Sequence, residues 1–163
     1  MTEQEVLIRR MKNGEEGIVC RLAVEVFSEF VAPLYTQDGV SEFLRYIDPD
    51  LMSKRAKSNH FVLMAESDNR LVGIIEVRDF NHISLLFVLR ESQRKGIAKQ
   101  LLNEALNTCA QHNPNLSYLS VHSSPNSVEA YEHLGFRSEG REGLDRGILY
   151  IPMKLQFQDI DDG

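Results

Sequence analysis

The sequence predicts a single α+β domain whose central sheet is mixed but mostly antiparallel and flanked by helices. Three observations carry that expectation. Short β-branched and apolar runs follow one another through residues 60–88 with only two- or three-residue turns between them, which is the pattern of an antiparallel meander. Longer stretches with apolar residues three and four apart lie on either side of that meander, over residues 15–31 and 96–111. The chain has 163 residues, 42% of them hydrophobic and 26% charged, enough to enclose one sizeable core.

In chain order, Val6 to Met11 forms a first strand, punctuated by Asn13-Gly14. Ile18, Val19, Leu22, Ala23, Val26, Phe27 and Phe30 give residues 15–31 one apolar face, and Pro33 ends that helix. Val40, Phe43, Leu44 and Ile47 mark a second helix, broken at Asp48-Pro49-Asp50, and residues 50–59 read as a short helix or loop. Tyr35 and Tyr46 fit amphipathic surface or core positions better than a pocket wall. Strands His60–Ala65 and Arg70–Val77 are joined by Asp68-Asn69, and Asp79-Phe80-Asn81 turns the chain into the strand His82–Val88. After the helix, Pro114 resets the chain and Leu116–His122 forms another strand. Ser124-Pro125 opens a further helix as N-cap and first helical residue, Gly135 caps its end, and Phe136–Glu142 and Gly147–Leu155 close the sheet. The acidic tail 156–163 is expected to fray.

Charge and composition narrow the function classes. The net charge is −6 with a pI near 5.4, which argues against a nucleic-acid partner. No apolar run is long enough to span a membrane, and the polar start Met-Thr-Glu-Gln-Glu does not resemble a signal peptide. Cys20 and Cys109 fall on apolar helix faces, as buried thiols in a reducing compartment would, so a cytoplasmic protein is expected. The five histidines show no metal-ligand spacing.

The most informative stretch runs from Val88 to Leu102. A strand ends at Val88, a short basic loop follows, and a helix begins near Gly96. Arg90, Arg94, Lys95 and Lys99 stand there against Glu91 alone, a local charge of +3. The first turn of a helix presents unpaired N–H groups and the positive end of the macrodipole, Gly96 admits close approach to the backbone, and Ala98 keeps the next turn narrow. This is an anion site suited to phosphate. A solvated basic loop capping a core helix would read the same way. The chain lacks the Gly-Lys-Ser/Thr of a nucleoside triphosphatase loop and the Gly-x-Gly-x-x-Gly of a dinucleotide fold.

Gln93-x-x-Gly96-x-Ala98 after that strand resembles the acetyl-CoA pyrophosphate motif of the GNAT acyltransferase superfamily, with Arg94 where many members carry another glycine. Ser123 to Phe136, ending Tyr131-x-x-x-Gly135-Phe136, resembles a second patch of the same family, and Gly147-Ile-Leu-Tyr-Ile-Pro-Met resembles its closing strand. Order and spacing agree over residues 60–155. The resemblance implies a GNAT-like single domain over residues 1–163, with a variable acceptor-side part over 1–59 and a cofactor core over 60–155. It implies an N-acetyltransferase that moves an acetyl group from acetyl-CoA to a primary amine, on a small molecule or peptide, by direct attack in a ternary complex. A homodimer is compatible with it, and no nucleic acid or membrane partner is expected. The alternative from another class is a non-catalytic acyl-CoA-binding sensor.

The resemblance places Val88, Leu89, Arg90, Gln93, Arg94, Lys95, Gly96, Ile97, Ala98 and Lys99 at the cofactor. Asn126 joins them as a hydrogen-bonding group for the pantetheine arm, a role that competes with helix capping. A thiol with a pKa of about 8.5 leaves better when a proton is supplied, which makes Tyr131 the candidate acid; a half-buried packing aromatic is its other role. An amine with a pKa of about 10.4 must lose a proton before it attacks. His82 is the favoured base, Glu76 the second candidate and His122 the third, and a structural side chain is an equal alternative for each. Strand alternation would put His82, Ser84, Leu86 and Val88 on one face. An unperturbed imidazole would give kcat/KM an inflection between about pH 6 and 7. A relayed water would make a base unnecessary.

Overall fold

The structure is a computed structural model and describes residues 5–157. Four strands form an antiparallel meander: β1 (Val6–Arg10), β2 (His60–Ser67), β3 (Arg70–Arg78) and β4 (His82–Val88). The two turns behave as their residues demand. Asp68 and Asn69 sit at φ 55° and 61°, and Asp79 and Phe80 at 53° and 56°. The first pair is the left-handed geometry Asp and Asn tolerate; Phe80 is a costlier occupant, stacked at 3.6 Å on His112. Then α4 (Ile97–His112) crosses over to β5 (Tyr118–Ser123), which runs parallel to β4, and β8 (Ile148–Gln156) lies antiparallel beside β5. The sheet order is β1-β2-β3-β4-β5-β8-β6, with β6 (Arg137–Ser138) short and β7 (Gly143–Asp145) paired to β8 alone. The expected strand over 136–142 is thus reduced to two residues. Gln156, expected in the tail, ends β8, and the Phe157 N–H donates to the Ser117 carbonyl; the tail from 158 onward lies outside the described residues.

Helices cover both faces. A Cβ on Gly73 would stand 3.2 Å from Leu101 and 3.3 Å from Ile97, so α4 packs on the face of β3 that Gly73 presents. The opposite face meets α1 (Glu16–Phe30) and α2 (Gln37–Tyr46): Phe27 stacks on Phe43 at 3.9 Å, and Phe43 meets Phe87 edge-on. Phe27, Leu101, Ile74 and Ile75 have no exposed surface. The segment after Asp48 is helical, α3 (Pro49–Ala56), because Asp48 accepts from the N–H groups of Asp50 and Leu51 and Pro49 supplies a preset first residue. That Asp-Pro signal was present in the sequence, and it decides between the helix and the loop left open there.

Two irregularities position the site. First, β4 and β5 pair at only two rungs, His82–Ser120 and Ile83–Val121, and then part. Second, the β3–β4 register shifts between Glu76 and Val77, leaving Ser84 as an extra residue in β4.

Candidate active site

The parting of β4 from β5 leaves a cleft on either side of the sheet opening. One cavity of about 480 Å³ is bounded by Leu86, Phe87 and Val88 of β4, the loop Ser92 to Lys99, the C-terminal end of α1, and Asn126, Tyr131 and Leu134. A second, about 520 Å³, is bounded by His82, Ile83 and Ser84 of the same strand, by α2 and α3, and by β7 and β8. One strand therefore lines both, its C-terminal half the first and its N-terminal half the second.

In the first cavity the loop is built as an anion cradle. Gly96 caps α4 at φ 80°, a left-handed conformation that glycine adopts without steric cost, and a Cβ there would meet nothing within 4 Å. The Gln100 N–H donates to the Gly96 carbonyl, so the N–H groups before it have no intrahelical acceptor. Open space above free N–H groups, with Arg94 and Lys99 on the lining, fits a pyrophosphate. Arg94 itself sits at φ 65°, where a glycine would be unstrained. The Gln93 side chain donates to the Val88 carbonyl at 3.0 Å and so closes the loop onto the strand.

Not every residue expected at this loop lines the cavity. Leu89 is buried in the core and its N–H donates to the Val72 carbonyl. Arg90 is drawn 2.9 Å from Glu29 on α1, and Lys95 is exposed outside the lining. Asn126 neither caps a helix backbone nor is free. Its amide donates to the Phe30 carbonyl at 2.9 Å and its oxygen accepts from Ser124, tying α1 to the segment before α5 (Val128–His133). Ser127, Ala130, Val26 and Phe30 also line this cavity, and no local signal distinguished them.

Tyr131 is half-buried on α5, edge-on to Phe136 at 5.4 Å. Burial pushes its phenol well above its ordinary range, and the Tyr35 phenol adds to the shift. It stays protonated at every working pH and so remains a donor.

In the second cavity His82 is buried, with Nδ1 2.7 Å from the Ser120 hydroxyl and its ring edge-on to His122 at 4.7 Å. Loss of hydration, helped by Arg78 and His122, lowers its pKa from 6.5 to about 3. The inflection expected between pH 6 and 7 therefore does not belong to His82 in this environment. Nor do His82 and Val88 share a face. Val88 pairs with Gly73, on the α4 side, whereas His82 pairs with Arg78, five residues further along β3 and hence on the opposite side. The extra residue at Ser84 breaks the alternation on which the expectation rested. His122 is exposed, stacked on Tyr150 at 4.1 Å, and its pKa is also lowered by partial burial.

Glu76 is completely buried and committed. Its Oε1 accepts from the Tyr46 hydroxyl at 2.9 Å and from Arg55 at 3.3 Å, and its Oε2 accepts from Arg55 at 3.2 Å. The Arg55 guanidinium also lies 3.8 Å over the Tyr46 ring and donates to the Tyr46 carbonyl. Neither oxygen is left for an acceptor amine. Tyr46 and Tyr35, expected as surface or core, both line this cavity. Cys20 and Cys109 are buried, and desolvation pushes the thiols up to about 11 and about 12, which removes them as nucleophiles.

A family model for the acetyltransferase (GNAT) domain matches residues 31–157, and the chain belongs to that family. Acetyl-CoA is accordingly its acetyl donor. Among solved structures it is similar to a GCN5-related N-acetyltransferase from Rhodopseudomonas palustris, at 15% identity and TM-score 0.80 over 96% of this chain and 98% of that one. It is similar also to PaiA N-acetyltransferase from Thermoplasma acidophilum, solved with coenzyme A, at 19% identity and TM-score 0.78 over 93% and 99%. The spermidine/spermine N-acetyltransferase SpeG from Vibrio cholerae matches at 18% identity and TM-score 0.63 over 96% and 95%. At these identities the likeness is one of fold. No helix among the described residues is long and apolar enough to cross a membrane.

Proposed function

We propose that the protein is an N-acetyltransferase that passes an acetyl group from acetyl-CoA directly to a primary amine while both are bound. The observation that carries this reading is the pair of cavities lined by one strand, β4: one carries the Gly96 loop and Tyr131, the other carries His82. When bound, acetyl-CoA supplies an acetyl thioester whose sulfur departs as a thiolate. The Gly96 loop, Arg94 and Lys99 hold its pyrophosphate, and Asn126, already fixed to Phe30, lies along the same cavity. Tyr131 donates its phenolic proton to the departing sulfur. His82 takes the proton from the incoming amine at Nε2. Ser120 favours that tautomer, because its hydroxyl has the Asn81 carbonyl 3.4 Å away as an acceptor and can then receive a hydrogen bond from Nδ1–H. An imidazole with a pKa near 3 cannot deprotonate an ammonium, so the amine attacks as its free base, and His82 takes the proton that the nitrogen sheds as it bonds to the carbonyl carbon. Glu76 acts at a distance, holding Arg55 and Tyr46 in the wall of the second cavity. With the thiols buried, no covalent acyl-enzyme is needed. Two reduced cysteines suit the cytoplasm, which completes the reading. The deciding experiment measures free thiol released from acetyl-CoA across a panel of primary amines. Amine-dependent release is the expected result, and tight acetyl-CoA binding without amine-dependent release would refute it.

A further inference from the structure

The second cavity carries an excess of positive charge in a chain whose net charge is −6. Five cations line it, Arg45, Lys54, Arg55, Arg78 and Arg146, against two carboxylates, Glu42 and Asp145. Arg55 is spent on Glu76. The other four have long or shared ion pairs or, among the described residues, none. Arg45 and Arg146 share one carboxylate, Glu42, each at 3.8 Å, which is a loose contact. Among the described residues, the ion pair of Arg78 is with its chain neighbour Asp79, at 3.9 Å, and Lys54 has no carboxylate within ion-pairing distance. Arg146 is not on a loose loop. The tip it occupies is docked on α2, where the Thr36 hydroxyl donates to the Gly147 carbonyl at 3.0 Å and a Cβ on Gly39 would lie 2.5 Å from that same oxygen. Arg78 stands next to His82 across the β3–β4 pair.

Such a surface repels a polycation and attracts an oxyanion, which arginine binds through paired N–H donors. Asp145 supplies one negative charge, enough for a single ammonium. We infer that the acceptor is an amine that also carries an oxyanion, carboxylate or phosphate, held by Arg78 and Arg146 while its amino group lies at His82. The inference rests on the acetyltransferase reading and deepens it by naming the acceptor class.

The test uses matched acceptors with the intact protein: β-alanine against β-alaninamide, O-phosphoethanolamine against ethanolamine, and spermidine as the polycation. The anionic member of at least one pair is expected to have a kcat/KM about 10–100-fold above its uncharged counterpart, the range of a charge-assisted hydrogen bond, and the larger ratio tells carboxylate from phosphate. Charge reversal at Arg78→Glu and Arg146→Glu, both on exposed side chains, should bring that ratio to about one or below. A spermidine kcat/KM above both anionic amines, or a ratio untouched by the reversals, overturns the inference and leaves acetyl transfer standing. Calorimetry on the coenzyme A complex separates the two levels. Binding of an anionic probe that both reversals abolish, with no thiol release from any amine, upholds the anionic ligand and sinks the acetyltransferase reading. Absence of binding and turnover by either anionic probe overturns the inference as well.

Discussion

Replacing His82 by glutamine should flatten the acid side of the protein's stability profile. In the folded chain burial, Arg78 and His122 hold the imidazole near pKa 3, whereas an unfolded histidine titrates near 6.5. A folded-state pKa below the unfolded one means that unfolding takes up a proton between those two values. The neutral ring's contribution is complete above about pH 6.5 and declines as pH falls toward 3. At pH 4.5 the gap from 6.5 is two pH units, and at 1.36 kcal/mol per unit the wild type should have lost roughly 3 kcal/mol through this residue alone. Glutamine keeps a polar group near Ser120 but does not titrate. The assay is urea unfolding of both proteins at pH 7.5 and 4.5, read as the difference of differences. That design cancels the other histidines with lowered pKa values, His60 and His122, apart from their coupling to His82. NMR titration of the ring gives a direct second measurement. Equal loss of stability in the two proteins, or a His82 resonance titrating near 6.5, would refute the reasoning. Either result would also restore an inflection between pH 6 and 7 as a signature of His82 in kcat/KM.

The other expectations concern the cofactor loop, the acid and the buried ion pair. Tyr131→Phe removes one oxygen and should lower kcat by about 10²–10⁴-fold with acetyl-CoA affinity little changed; steady-state kinetics and calorimetry check both. Gly96→Val forces a β-branched residue to φ 80° and points it into open space, so acetyl-CoA affinity should collapse while circular dichroism shows a folded protein. Arg94→Gly relieves a left-handed conformation worth about 1 kcal/mol but removes a cation from the lining; the Kd for acetyl-CoA should rise while Tm does not fall. Arg55→Ala leaves the fully buried Glu76 with Tyr46 alone and should destabilise by about 3–5 kcal/mol in urea unfolding, an effect that a simultaneous Glu76→Gln should largely offset.

Local chemistry alone determined much of this protein. Asp68-Asn69 between two apolar runs favours a tight left-handed turn, and Gly96 between a strand and an amphipathic stretch favours a helix start, so the meander and α4 were legible from neighbours in the chain. Tyr131 stood out only through the resemblance of the patch ending Gly135-Phe136; local pattern alone reads it as a half-buried packing aromatic. What decides the second cavity is tertiary. The extra residue at Ser84 appears only when β3 and β4 are paired, and it alone turns His82 away from the face of Val88. Glu76 reads as a free carboxylate until folding brings Tyr46 and Arg55, 30 and 21 residues away, onto its two oxygens. Arg146 is fixed at the second cavity only when Gly147 docks on Thr36, 111 residues distant. A titratable group's role depends on its hydration and on charges within a few ångströms, and those neighbours are chosen by the packing of α2, α3 and the β7–β8 hairpin, which no short-range pattern encodes.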